Sequence, residues 1–311
     1  MAKPVLRVLA FLLISSAALS SLSAAPAQAP ALPPPNQKDV HYGPHERNVL
    51  DLWHADSASP TPLVVFIHGG GFLAGDKSGV SPLLLSGCLK SGISVAAINY
   101  RYSSQAPFPA PFLDCARAIQ FLRLKSTEWK LDPKRFGATG GSAGAGMSLW
   151  LGFHPDLADP KSDDPILRQS SRLSCMAVMG AQCSYDPRFI KEHIGGRAHE
   201  HSALPTLYGL KPNELDTPKA YKMYEEASAI NFLTADDPPA YLFYSEDKGP
   251  LPPNAAPGQG IHHPNFGVVL KEKMDALKIE CVLRHRDDLA GKPGANPQIE
   301  AAEFFKKHLI P

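Results

Sequence analysis

The sequence lacks the charge bias of a nucleic-acid binder. Its 31 Lys and Arg stand against 30 Asp and Glu, so composition carries no basic signature and no nucleic-acid partner is expected. It also lacks any Cys-x-x-Cys pair among its five cysteines, which removes support for a zinc or dithiol site. Cys175 and Cys183 flank one expected strand and are about 26 Å apart when extended, too far for a disulfide. An odd count leaves at least one thiol free, and the cysteines read as small buried apolar residues. Phosphate-loop and dinucleotide fingerprints are missing: the glycines between 140 and 146 surround a serine, not the lysine of a P-loop. His199-Glu200-His201 alternates ligand-type side chains without a third partner, so neither a metal nor a cofactor is expected. No apolar run reaches the roughly 20 residues needed to span a bilayer.

What is present is ordinary for a globular chain of 311 residues, with 44% hydrophobic and 20% charged residues. The 31 prolines fall mainly in loops and near the start, which points to pinned connections. Lys3 and Arg7 precede the apolar run 8–22 and then small residues up to Ala31. That order is a secretory signal peptide, read as 1–29 with cleavage between 23 and 31. It implies export, to the periplasm or beyond. No cysteine closes it, which argues against a lipid anchor. Residues 31–35 read as an extended linker into a single domain, 36–311.

Within that domain strands and helices alternate. Strands are expected at Val49–Trp53 (half-buried, by alternation), 63–67, 93–100, 135–139, 175–180, Ala240–Tyr244 and 280–285. Helices are expected at Pro82–Lys90, 112–125, 142–153, 264–277 and 299–309. Continuous apolar strands separated by helices mean an α/β fold, a mostly parallel central sheet flanked by helices on both faces. The stretch 185–231, rich in Pro, His and Gly, breaks the alternation and reads as an insertion over the sheet edge.

Two motifs carry chemistry. Gly140-Gly141-Ser142-Ala143-Gly144 fits G-x-S-x-G between a strand and a helix, the setting of a nucleophile elbow. The tight turn strains Ser142 and exposes its hydroxyl at a helix N-terminus, whose positive end favours a developing anion. His68-Gly69-Gly70-Gly71-Phe72 follows a buried strand. Its Gly70 and Gly71 N–H groups, with that of Ala143, could hold an oxyanion. Composition alone would produce His-Gly-Gly-Gly roughly 0.005 times in a chain of this length, so the pair of motifs outweighs chance.

With these motifs, and with the stretches Ala97-Ile98-Asn99-Tyr100-Arg101-Tyr102, Phe112-Leu113-Asp114-Cys115-Ala116-Arg117 and Asp132-Pro133-Lys134-Arg135, the chain resembles the α/β-hydrolase superfamily. Within it the likeness is to HGGG-type carboxylesterases, which include hormone-sensitive-lipase-like and bacterial feruloyl- or acetyl-esterase-like enzymes. The resemblance is dense from 48 to 180 and weaker beyond. It implies the α/β-hydrolase fold, a serine esterase working through an acyl-enzyme, and a structural role for His68. It makes acylated polysaccharide or a small-molecule ester the expected partner.

The resemblance also implies an acid after the seventh strand and a histidine after the eighth. Asp247 falls at the acid's place, with Glu246 a close alternative and a solvated loop as the non-catalytic reading. The segment 286–297 holds no histidine at all. Four histidines follow Asp247. His308 reads as a surface residue and His285 as a strand end. His262 and His263 precede Pro264, which suits a first helical turn, so either could be the base or a helix cap. Asp287 or Asp288 could replace Asp247 as its acid, since a triad is defined by geometry and not by chain order. The rival reading is a non-catalytic binding protein of the same fold. A peptidase is disfavoured because no propeller-like N-terminal domain is present.

Overall fold

The computed structural model describes residues 32–311; the expected signal peptide lies outside them. Eight strands form one sheet: β1 (Gln37–His41), β2 (Val49–Trp53), β3 (Thr61–Ile67), β4 (Ser94–Ile98), β5 (Leu131–Gly141), β6 (Cys175–Met179), β7 (Ala240–Tyr244) and β8 (Cys281–His285), in the order β1-β2-β4-β3-β5-β6-β7-β8. The pairs β1–β2 and β2–β4 are antiparallel and all others parallel. The architecture is the expected α/β one.

Alternation along β3 explains how the core divides. Leu63, Val65 and Ile67 face helices α2 (Ala110–Leu124) and α3 (Ala143–Phe153), while Val64 faces the other layer, built from α1 (Pro82–Lys90) and α9 (Pro297–Leu309). Helix α7 (Asn265–Ala276) joins the first layer through Phe266, Leu270 and Met274. The parallel strands β3, β5, β6 and β7 end on one edge, so the loops after Ile67, Gly141, Met179 and Tyr244 converge there. In open α/β sheets this edge is where ligands bind.

Several expected boundaries shift. Strand β1 carries no apolar run, being largely exposed, and it escapes periodicity. It pairs along one edge of β2, which is buried on both faces instead of half-buried: Leu50 and Leu52 pack into one layer, and Trp53 into the other beside Asp51 on Lys77. Strand β5 begins early because Leu131 pairs with Thr61 before the register shifts. The expected linker is docked: Pro33 accepts a hydrogen bond from the Trp53 indole N–H at 2.7 Å, and Leu32 packs on the core. All five cysteines are free and buried.

The segment 185–231 folds as α4 (Pro187–His193), α5 (Ala203–Tyr208) and α6 (Pro218–Ala227) with short 3-10 turns between. It reaches over the converging loops: Tyr185, Ile190, His201 and Leu204 line a cavity beside Ser142.

Candidate active site

Strand β5 enters α3 through Ser142, whose φ of 53° and ψ of −122° are strained for a side-chain-bearing residue. The turn is held because its neighbours are glycines. A Cβ on Gly144 would lie 2.0 Å from the Ile67 carbonyl oxygen, and one on Gly140 would lie 2.4 Å from it. The Ser142 N–H donates to Met179 O at 2.9 Å. The hydroxyl thus stands at the N-terminus of α3, as the motif implied.

The loop after β3 turns through positive φ at Gly70, Gly71 and Phe72. The Gly70 carbonyl accepts from the N–H groups of Leu73 and Ala74, at 3.0 and 3.1 Å, and so closes the turn. Gly71 and Ala143 line one cavity with Ser142. Ala143 is the first residue of α3, so its N–H has no acceptor within the helix. Gly70, the third expected donor, is not among the residues lining that cavity.

His68 is buried beneath this loop. Its ring stacks on Tyr100 at 4.2 Å, its Nδ1 donates to Gly69 O at 2.7 Å and its Nε2 accepts from Arg47 Nη2 at 3.2 Å. Burial, helped by the Arg47 charge and opposed by the Gly69 bond, pushes its pKa down to about 4. With both nitrogens engaged it braces this glycine loop. Lys77 fastens the next turn. It is buried between Asp39 and Asp51, at 2.8 and 2.7 Å, and its N–H donates to Asn99 Oδ1.

The loop between β7 and α7 brings His262 to the serine. Its Nε2 lies 2.8 Å from Ser142 Oγ. Its Nδ1 lies 3.3 Å from Glu246 Oε1, which also accepts from the His262 N–H at 3.3 Å. Gly180, at φ 59°, makes room for the ring: a Cβ there would stand 3.3 Å from three His262 atoms. The Gln182 amide donates to Ile261 O and pins the adjoining residue. Neither Gly180 nor Gln182 carries a motif, so the sequence reading missed both.

The other expected partners go elsewhere. His263 is 1% exposed. Its Nε2 donates to Gly249 O at 3.0 Å, and its Nδ1 accepts the Asn265 N–H at 3.1 Å. It sits one residue before Pro264, the N-cap of α7, and not at the cap itself, and its two ring partners lie away from Ser142. Asp247 is 85% exposed on its side chain and pairs with Arg286, because the loop places Glu246, not Asp247, toward His262. Asp287 and Asp288, on the short helix α8 (Arg286–Leu289), serve His285 instead. Asp287 Oδ2 lies 2.9 Å from its Nδ1, and Asp288 accepts from its N–H at 2.7 Å. His285 Nε2 in turn reaches Glu246 O at 2.7 Å, and Arg286 Nη1 donates to Ser245 O at 2.8 Å. The end of β8, where the resemblance expects a catalytic histidine, therefore anchors the Ser245–Glu246 backbone. His308 is partly buried against Phe304, not a surface side chain.

Glu200 of the 199–201 stretch pairs with Arg197 at 2.7 Å. His201 accepts from the Ala203 N–H and lines the cavity; burial first, then the nearby His262, lowers its pKa. Among the described residues no group of three or more His, Cys, Asp or Glu could hold a metal ion.

Two spaces meet at Ser142. One is a cavity of about 60 Å³ lined by Gly71, Phe72, Ala143, Tyr185, Ala203 and Phe266. The other is a groove of about 420 Å³ lined by Phe66, Ser81, Phe243, Ser245, His262 and Gln298.

The BD-FAE family model matches residues 50–256. Curated relatives include the Mycobacterium tuberculosis esterase LipQ, 27% identical over 73% of this chain and 53% of the relative. Another is the probable carboxylic ester hydrolase LipM of the same organism, 27% identical over 71% of this chain and 50% of the relative. The chain thus spans about half the length of these relatives. Similar solved structures include a truncated carbohydrate esterase from gut microbiota, with TM-score 0.66, 20% identity, and 88% of this chain and 96% of that one covered. An acetyl ester-xyloside bifunctional hydrolase from Caldicellulosiruptor lactoaceticus has TM-score 0.63, 24% identity, and 83% and 86% covered. Thermogutta terrifontis esterase 2 with propionate bound has TM-score 0.60, 19% identity, and 88% and 95% covered. At these identities the solved structures support the fold.

Proposed function

The chain belongs to the BD-FAE family, and on that premise we propose that it is an exported serine esterase that cleaves short-chain carboxylic esters, carbohydrate-linked ones among them. The observation that carries this reading is the 2.8 Å approach of His262 Nε2 to Ser142 Oγ, with Glu246 at the other ring nitrogen. In this reading Ser142 attacks the ester carbonyl while His262 takes the hydroxyl proton. The Glu246 carboxylate orients the ring and stabilises the imidazolium. The N–H groups of Gly71 and Ala143 receive the oxyanion. His262 then delivers its proton to the leaving alcohol, and water hydrolyses the acyl-enzyme with His262 as base.

The acyl half is read from the cavity, the smaller of the two spaces at Ser142; its walls of Phe72, Tyr185 and Phe266 suit a short apolar acyl chain. The carbohydrate-esterase and acetyl-xyloside names of structural neighbours support a sugar ester. Export rests on the N-terminal segment alone. A purely binding role, favoured by the empty 286–297 segment, has the Ser142–His262–Glu246 contacts against it.

The test is hydrolysis of p-nitrophenyl acetate by the chain without residues 1–29, beside Ser142→Ala. Turnover that vanishes in the variant supports the reading. Equal background rates in both, for acetyl, propionyl and butyryl esters alike, would overturn it.

A further inference from the structure

We propose, resting on the serine-esterase reading, that Leu251 is a positioning residue for His262. The turn that ends α4, Ile194-Gly195-Gly196, clasps Leu251 and with it the loop that carries the histidine. The segment that reaches over the cavity at Ser142 thereby also holds the ring that meets the serine.

The loop needs such a hold. Residues 247–261, between Glu246 and His262, include Pro250, Pro252, Pro253 and Pro257 and form no helix or strand. Yet they deliver His262 Nε2 to 2.8 Å from Ser142 Oγ. A stretch without a regular hydrogen-bond ladder keeps a side chain in one place only where its backbone is tied to something rigid, because each unfixed residue would otherwise spread over many conformations. Most of this loop is exposed. Ala255 is buried, and Leu251 packs against the core.

Both inward residues meet the end of α4. Gly195 and Leu251 form a parallel β-bridge. The two backbones come this close because Gly196 has no side chain: a Cβ there would lie 3.1 Å from Ala255 Cβ and 3.2 Å from Leu251 Cβ. The Leu251 side chain then reaches Gly260, where a Cβ would lie 2.3 Å from Leu251 Cδ1 and 3.3 Å from Ile194 Cγ2. Gly260 stands two residues before His262. One leucine thus joins the end of α4 to the backbone that presents the histidine.

Helix α4 is itself anchored. Ile190 and Ile194 are buried in the core, and the Phe189 ring lies nearly parallel to Phe266 of α7, with centroids 6.4 Å apart. Asn265 Nδ2 donates to His193 O at 3.0 Å. Helix α4 and its last turn therefore grip the chain on both sides of His262, through Leu251 and Gly260 before it and Asn265 after it. Leu251 lines neither the cavity nor the groove, which separates any effect of its removal from a lost substrate contact.

The experiment measures p-nitrophenyl acetate turnover, with thermal unfolding alongside. Leu251→Ala should lower kcat about tenfold with KM within about twofold, because a small displacement of the base is costly. Leu251→Met, which refills the space, should restore most of the loss. In the His262→Ala background the same Leu251→Ala change should cost less than about twofold, because the residue it acts through is already gone. Should Leu251→Ala fail to fold, Leu251→Val carries the same comparison with a kcat loss of about threefold. A parent-like kcat in folded Leu251→Ala, a loss borne by KM alone, or an equal loss with and without His262 overturns the positioning role and leaves the esterase reading standing. Absence of Ser142-dependent turnover in the parent protein overturns the esterase reading, and this role with it.

Discussion

The serine side and the histidine side of this site are built by different means. Ser142, Gly71 and Ala143 are placed by backbone geometry: positive φ at a serine, glycines pressed against the Ile67 carbonyl, a turn closed on Gly70 O. His262 and Glu246 are placed by side-chain contacts across long loops, through Gly180, Gln182 and His285. The first kind of site tolerates almost no substitution at its glycines and is braced from beneath by His68. The second kind can be rebuilt from different positions, and here the histidine that meets Ser142 sits before α7 instead of after β8.

Breaking the comparison at its centre should have the largest effect. Ser142→Ala and His262→Ala should each lower kcat by roughly 10³-fold or more, while His263→Ala, next in sequence, should stay within about tenfold and instead lower the melting temperature. Steady-state kinetics on a p-nitrophenyl ester with parallel thermal unfolding checks this; an inactive, well-folded His263→Ala beside an active His262→Ala would reverse the assignment. One step smaller, Glu246→Gln should cost roughly 10²-fold to 10⁴-fold in kcat, whereas Asp247→Asn should stay within about twofold, because that carboxylate is exposed on Arg286.

His285 sharpens the contrast, because it acts only through the Glu246 backbone. His285→Gln should lower kcat about tenfold with KM nearly unchanged, and the same substitution in Glu246→Gln should add little. Equal losses in both backgrounds would count against this positioning role.

Stability, not rate, tests the rigid side. Burial holds the His68 pKa near 4, below its ordinary 6.5, so the unfolded chain binds a proton in that window that the folded chain does not. Stability should therefore fall as pH drops from about 6.5 to about 4, by about 3 kcal/mol from this group. Urea unfolding at several pH values should show a slope shallower by up to one proton in His68→Asn; an identical slope would place the acid sensitivity elsewhere.

Legibility followed the same division. The elbow and the glycine loop could be read because each needs particular residue types at fixed spacing, and a Cβ at Gly144 has nowhere to go. The two adjacent histidines, and the adjacent Glu246 and Asp247, could not be separated, since either member of each pair satisfies composition and position. What decides between them is direction: His263 faces Gly249 and Asn265, and Asp247 faces Arg286. Strand β1 was invisible because an edge strand needs no apolar run.

By itself, then, the sequence determined the layered α/β sheet, through apolar runs too continuous for anything but a covered parallel core, and the serine turn, through glycines that no other residue replaces. Tertiary structure alone decided which histidine meets the serine, which carboxylate meets the histidine, and where the space for an ester lies. Those depend on where loops of twenty residues and more come to rest, and that is settled by packing among side chains far apart in the chain, which local spacing does not encode.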